Sequence, residues 1–371
     1  MAKKAPTVQN NKSSRAQTAR YGIGEWFGRD LATLSARERE HFGRLSFAQA
    51  SDVKKMSAEK RAEFWMTNFG RKFKAADLVV PDCPFLSSLS PGSPCTKSGG
   101  VCSMRNYKAL ADGQGIATAD ASPTVCPFRF LESGALLRWV GEKMLGTSNP
   151  IVIKETPFLR KIATLGGTVK DEDSSEDINE GKKAGRIDWL LVDPATAKAE
   201  SPKWCAVETQ GVYFSGDKWK NEFEAFAQDG SKLHFPVGRR RPDYRSNGPK
   251  RLAPQLSVKV PVLRAWGTKV AVIVDRYFYR EMADLQSAFP GARTNQDKLD
   301  QAEIVWFVAD YNNKMNLVLG EVIYSDLIKS IESLNATRPI ERRLFLNGLK
   351  TMLSDSSRVG TKVFKLKGGS K

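Results

Sequence analysis

Hydrophobic and polar positions change rhythm several times along this chain, and each change marks a segment. Residues 1–20 are polar and basic with few apolar positions, which predicts a flexible tail. Between Gly24 and Val79, Phe47, Val53, Met56, Phe64, Trp65 and Phe69 recur at helical spacing, so residues 21–79 are expected to form a helical N-terminal region. Over Val80–Pro127 the periodicity disappears and Pro, Ser, Gly and Cys take its place, predicting an irregular segment over 80–130. A helical pattern returns over Leu131–Leu145 and stops at Gly146.

Strand signals follow. Arg186–Val192 and Trp204–Phe214, separated by turn residues that include Pro194 and Pro202, predict a hairpin-like pair. Asp217–Ala227 reads as a helix, and residues 238–251, rich in Gly, Pro and Arg, as a loop. In Leu252–Trp266, Pro254 and Pro261 are expected to break any long helix. Lys269–Val274 and Glu303–Ala309 read as buried strands, Asn316–Tyr324 as another, and helices near Asp326–Leu334 and Pro339–Leu353 close the pattern before a basic tail over 356–371. The expected class is α/β, a mixed sheet flanked by helices over 131–355.

Composition narrows the chemistry. Of 371 residues, 58 are Lys or Arg and 41 Asp or Glu, a net charge of +17 that points to a polyanionic partner, nucleic acid first. Hydrophobic content of 41% excludes a disordered polycation. The two histidines, His41 and His234, have neither metal-ligand spacing nor a nearby nucleophile, which argues against histidine-based hydrolysis. No apolar run approaches the ~20 residues of a membrane span, and the N-terminus lacks the apolar core of a signal peptide. A reducing cytoplasm is expected, so the five cysteines should be thiols or metal ligands.

Four of them, Cys83, Cys95, Cys102 and Cys126, are separated by 11, 6 and 23 residues in the loop-rich segment. Four thiolates suit a tetrahedral metal, Zn or Fe, as a structural staple with no open coordination position. Gly99-Gly100 ahead of Cys102 would permit a tight turn there. Cys205 sits in a strand pattern and reads as a small buried apolar residue.

Asp188 lies in Gly185-Arg186-Ile187-Asp188-Trp189, and 19 residues on comes Val207-Glu208-Thr209-Gln210. An Asp on one strand followed by Glu-x-Gln on the next is similar to the metal-dependent nuclease pattern Asp…Asp/Glu-x-Lys. Two adjacent carboxylates can hold Mg²⁺, which activates water and stabilises charge on a scissile phosphate. Gln210 stands in the lysine position and can only orient water through its amide. Positive charge would then come from the metal or from Lys218 or Lys220 just downstream. Further basic candidates for DNA contact are Arg239, Arg240, Arg241, Arg245, Lys250 and Arg251. The tails add Lys3, Lys4, Lys12, Arg15, Arg20, Lys362, Lys365, Lys367 and Lys371, suited to nonspecific attraction. The absence of a Gly-xxxx-Gly-Lys-Ser/Thr loop disfavours an ATP-driven motor.

Taken in order, Cys83-Pro84-Phe85-Leu86, Gly100-Val101-Cys102, Val125-Cys126-Pro127, Ile187-Asp188-Trp189, Val207-Glu208-Thr209-Gln210 and Val305-Trp306-Phe307-Val308 give a chain that resembles the NotI-like type II restriction endonuclease family over roughly 80–325. The resemblance implies a PD-(D/E)xK-type nuclease fold and a homodimeric, Mg²⁺-dependent enzyme cutting both strands of a GC-rich palindrome, with a cognate DNA methyltransferase as genetic partner. It implies one structural iron on Cys83, Cys95, Cys102 and Cys126, and a catalytic centre of Asp188, Glu208 and Gln210, with Gln in the lysine place as a family trait. Nucleases of this core often carry a further acid upstream. Glu155, Asp171, Glu172 and Asp173 are all open for that place. Two other classes compete: a non-enzymatic DNA-binding regulator stapled by a four-cysteine metal, and a repair or recombination nuclease of the same core.

Overall fold

The computed structural model describes residues 19–117, 123–160, 183–283, 285, 288–337 and 340–354. The acid-rich run 171–180 and the tail lysines lie outside the described residues, whereas Arg20 begins the first strand.

The N-terminal part combines strands β1 (Arg20–Trp26) and β2 (Arg29–Asp30), helices α1 (Ala36–Ala50) and α2 (Ala58–Phe69), and strands β3 (Val101–Ala109) and β4 (Gly115–Ala117). They give a four-stranded sheet of order β2-β1-β3-β4. This differs from the helical region and irregular segment expected from the pattern. In β1 the glycines Gly22 and Gly24 interrupt the alternation of Ile23 and the aromatic residues. In β3 a buried run, Val101–Met104, gives no period-2 signal. Because β1 pairs antiparallel with β3, one sheet spans the expected boundary near residue 80.

The second part begins with α3 (Ala135–Met144), then strands β5 (Ile151–Arg160), β6 (Lys183–Val192), β7 (Trp204–Thr209) and β8 (Phe214–Gly216). It continues through α4 (Lys220–Gln228), β9 (Arg240–Pro242), α5 (Tyr244–Asn247), α6 (Ala253–Ala265) and β10 (Val270–Asp275). The chain closes with α7 (Arg276–Glu281), α8 (Asn295–Gln301), β11 (Ile304–Tyr311), β12 (Leu317–Ser325), α9 (Leu327–Asn335) and α10 (Arg342–Ser354). Six strands form a mixed sheet of order β12-β11-β10-β7-β6-β5. β5 pairs antiparallel with β6 and β6 with β7; β7, β10 and β11 are mutually parallel, and β12 is antiparallel to β11. The central strands are the most apolar. All of β10 and the first six residues of β11 are buried, as strands covered on both faces must be. Trp139 of α3 packs edge-on against Phe307 on one face. Leu256, Val260 and Leu263 of α6 pack with Val272 and Trp306 on the other.

The expected hairpin is present as β6–β7, with Trp189 opposite Val207 and Leu191 opposite Cys205. Strand β5 has no counterpart in the sequence reading. Pro157 hides it, and is tolerated because β5 is an edge strand. Residues 238–251 also differ from the expected loop, forming β9, α5 and a π-helical turn over Gly248–Leu252. That turn runs straight into α6, which continues through both prolines. Pro254 sits in the first turn, where its missing N–H needs no partner, and Pro261 is on the exposed side of a helix clamped to the sheet by its other face.

The two parts touch closely. A Cβ on Gly43 of α1 would strike the backbone of Phe226–Ala227 in α4, so only glycine allows this approach. Arg129, fully buried, binds Glu25 of β1 at 2.8 Å and lies over Tyr311 of β11. No described helix is long and apolar enough to cross a membrane.

Candidate active site

Register brings the carboxylates together. Trp189 faces Val207, so Asp188 and Glu208 are the next positions as β6 and β7 part. The strands splay there, and the gap is filled by side chains rather than ladder bonds. Asp188 Oδ2 accepts the Thr209 N–H at 3.0 Å and pairs with Thr209 Oγ1 at 3.1 Å. The backbone of Asp188 also faces the Glu208 carboxylate and draws its pKa down. Glu208 is 2% exposed and Asp188 half-buried. Burial, followed by the charge of Asp188, pushes the Glu208 carboxyl up to about 7, against the pull of Lys259.

Lys259 escaped the sequence reading. Its Nζ donates to Glu208 Oε1 at 2.6 Å, with both side chains buried. The available signal was a lysine on the apolar face of a helix, between Leu256 and Val260 at one side and Leu263 at the other. The two prolines obscured that helix.

Gln210 lies just past the end of β7. Its backbone N–H reaches Ile273 O at 3.0 Å, and its side-chain amide donates to Gly211 O at 2.6 Å. It opens onto a cleft of about 790 Å³ between the N-terminal part and the mixed sheet. The cleft is lined by Lys97, Lys218, Lys220 and Arg251, with Tyr213, Phe214 and Trp219 among them. Arg251 lies over the Tyr213 ring at 5.3 Å. Lys97, which was not singled out from sequence, reaches the Val125 carbonyl at 3.2 Å.

The other basic candidates divide. Arg239, Arg241, Arg245 and Lys250 are exposed. Arg240 is not available to DNA: it is 7% exposed, ion-paired with buried Glu222, and stacked 3.7 Å over Trp219. A string of arginines gives no sign of which one turns inward. Of the upstream acids, Glu155 lies between the pairs Lys154↔Trp189 and Thr156↔Ile187, opposite Asp188, but its carboxylate is engaged by Arg186 at 3.0 Å. Its φ of 51° is unusual for a non-glycine strand residue. Asp171, Glu172 and Asp173 lie outside the described residues. Among the described residues neither His41 nor His234 contacts Asp188 or Glu208; His234 contacts Asp229 O and the Phe226 ring.

The four clustered cysteines converge on one core. Cys83, Cys102 and Cys126 are buried together and Cys95 packs against them. Backbone bonds set the approach: Cys83 N to Ser93 O and Cys95 N to Pro81 O on one side, Cys126 N to Cys102 O on the other. Gly99 and Gly100, both at positive φ, make the expected turn. Amide N–H groups point at sulfur, from Leu86 to Cys83 Sγ at 3.5 Å and from Gly28 to Cys102 Sγ at 3.3 Å. Burial, with the nearby Cys83 and Cys126 adding to it, pushes the Cys95 thiol up to about 11. A cation would reverse that repulsion. The donor set thus fits a thiophilic ion, although among the described residues no three His, Cys, Asp or Glu side chains already stand at metal-holding distances. All five cysteines are free thiols, and Cys205 is buried in β7 as expected.

A mixed sheet flanked by helices, with paired carboxylates where two strands part and a basic cleft beside them, makes an α/β architecture consistent with a nuclease. Residues 69–324 match the family model described as Restriction endonuclease NotI, so the chain belongs to the NotI restriction endonuclease family. Membership makes it a DNA-cleaving hydrolase and bears out the resemblance carried by the sequence blocks. No curated protein matches the chain significantly.

Proposed function

We propose that the protein is a type II restriction endonuclease making Mg²⁺-dependent double-strand breaks at a GC-rich palindrome, as a homodimer paired genetically with a DNA methyltransferase. The observation that carries this is the juxtaposition of Asp188 and Glu208 at the parting of β6 and β7, next to a basic cleft. The order α3-β5-β6-β7-α6-β10, with its mixed sheet, supports a PD-(D/E)xK core. Asp188 and Glu208 would hold Mg²⁺, which commonly takes one or two protein carboxylates and keeps several waters. When bound, the metal lowers the pKa of water and stabilises charge on the phosphate. Thr209 fixes Asp188 by two contacts to one oxygen, leaving the other oxygen for a ligand. Gln210 orients water by its amide carbonyl, its Nε2 being held on Gly211 O by one of its two N–H groups. Lys97, Lys218, Lys220 and Arg251 bind phosphates along the cleft. One Fe, or alternatively Zn, on Cys83, Cys95, Cys102 and Cys126 would staple the segment that abuts Gly211, whose Cα faces Thr124 and Val125.

Digestion of unmethylated phage DNA with Mg²⁺, followed by sequencing of the ends, tests this reading. One recurrent palindrome at the ends is expected. Intact DNA at every Mg²⁺ concentration would contradict it in favour of a non-enzymatic binder. Preference for nicked or branched DNA would point to repair or recombination.

A further inference from the structure

We infer that Lys259 is the lysine of this active site, relocated from strand β7 to helix α6, and that it acts as a positioning residue for Glu208. This rests on the nuclease reading above and deepens it.

The Asp…Glu-x-Lys pattern places a cation two residues after the Glu, on the same strand face. Here that place holds Gln210, whose amide bonds the neighbouring Gly211 carbonyl. Lys218 and Lys220 are exposed on the cleft, with no recorded contact to either carboxylate among the described residues. Lys259 is different. It reaches Glu208 across 51 residues of sequence at 2.6 Å, from the helix that crosses over between β7 and β10. α6 packs on the sheet face that carries Ala206 and Glu208, with Leu256, Val260 and Leu263 in the same core as Ala206.

The surroundings argue against a purely structural pair. Leu256, Val260 and Leu263 fill the same face of α6 and are buried. An apolar residue at 259 facing an apolar residue at 208 would pack there without desolvating two charges, and such replacements are often neutral or stabilising. The chain instead keeps two ionisable groups beside Asp188. Lys259 also retains reach: of three ammonium donors, the one recorded bond goes to Glu208, so two are without a protein partner among the described residues. Lys259 therefore fixes the Glu208 carboxylate next to Asp188 and compensates its charge.

The test uses the full chain with Lys259→Arg, Lys259→Met and Lys259→Gln, measuring steady-state cleavage, DNA binding and the unfolding midpoint. Lys259→Met is expected to bind DNA with wild-type affinity and KM but to lose kcat on the order of 10²-fold, the scale of one preorganised electrostatic contact. Lys259→Arg, which keeps the charge, is expected to recover kcat to within about tenfold, or roughly 1.4 kcal/mol of barrier. Should Lys259→Met fail to fold, Lys259→Gln, which keeps a hydrogen bond to Glu208 but no charge, carries the same expectation. Wild-type kcat in the folded Met or Gln variant overturns the assignment, as does an equal loss in Arg and Met. Wild-type protein that cuts no DNA refutes the nuclease reading itself, and the Lys259 assignment with it.

Discussion

At the residue scale, Glu208 is a buried carboxylate held between Asp188 and Lys259. Its carboxyl, raised to about 7, is above the unfolded value of 4.5, so the fold holds a proton there that the unfolded chain releases. The stability linked to this group is complete below the unfolded value and is lost as pH rises through about 7. Metal-free protein should therefore lose part of its unfolding free energy between pH 5 and pH 8, and Glu208→Gln should flatten that slope, which denaturant titrations at several pH values would show. For the same reason, divalent cations should bind more tightly as pH rises through about 7, because the proton has to leave Glu208 first. Calorimetric titration of Mg²⁺ at pH 6 and pH 8 measures this. The juxtaposition of Asp188 and Glu208 was legible in sequence because strand periodicity and a short motif place them. Lys259 was not, because its partner lies on another element and no local pattern encodes a contact across 51 residues.

At the element scale, the cleft wall depends on a buried ion pair. Arg240 of β9 and Glu222 of α4 are both buried, and Arg240 caps the Trp219 ring. Arg240→Ala would strand the Glu222 charge and should cost about 3–5 kcal/mol of stability, read as a lower denaturation midpoint. Arg239→Ala, one residue away but exposed, should change stability by less than about 0.5 kcal/mol. The four-cysteine segment is the other support. Val212 N donates to Thr124 O at 2.6 Å and Thr124 N to buried Asp275 at 2.5 Å, so the backbone beside Cys126 holds the turn after Gln210. Elemental analysis should find about one Fe or Zn per chain, as four thiolate ligands require, and Cys102→Ser should lower the unfolding midpoint. A folded, metal-free preparation of normal stability would contradict the staple. The hairpin β6–β7 and the strands β10 and β11 could be read from sequence because burial imposes a simple pattern on them. β1, β3, β5 and α6 could not: glycine, cysteine and proline mask periodicity, and long-range pairing or packing decides the outcome.

For the whole molecule, the net charge of +17 has a located part. Lys97, Lys218, Lys220 and Arg251 concentrate it in the cleft that ends at Gln210. Neutralising Arg251 should weaken DNA binding and reduce the salt slope of log K by about 1, as one lost phosphate contact requires. Double-strand cleavage of a palindrome calls for two active sites related by a two-fold axis, so sedimentation should give a dimer. The pair of carboxylates is the centre of the proposed activity. The most direct measurement is cleavage and DNA binding by Asp188→Asn and Glu208→Gln with Mg²⁺ present. Each should keep its affinity for DNA and lose cleavage on the order of 10³-fold, equivalent to about 4 kcal/mol of transition-state stabilisation. Wild-type cutting by both variants would contradict the assignment of Asp188 and Glu208 as the catalytic pair.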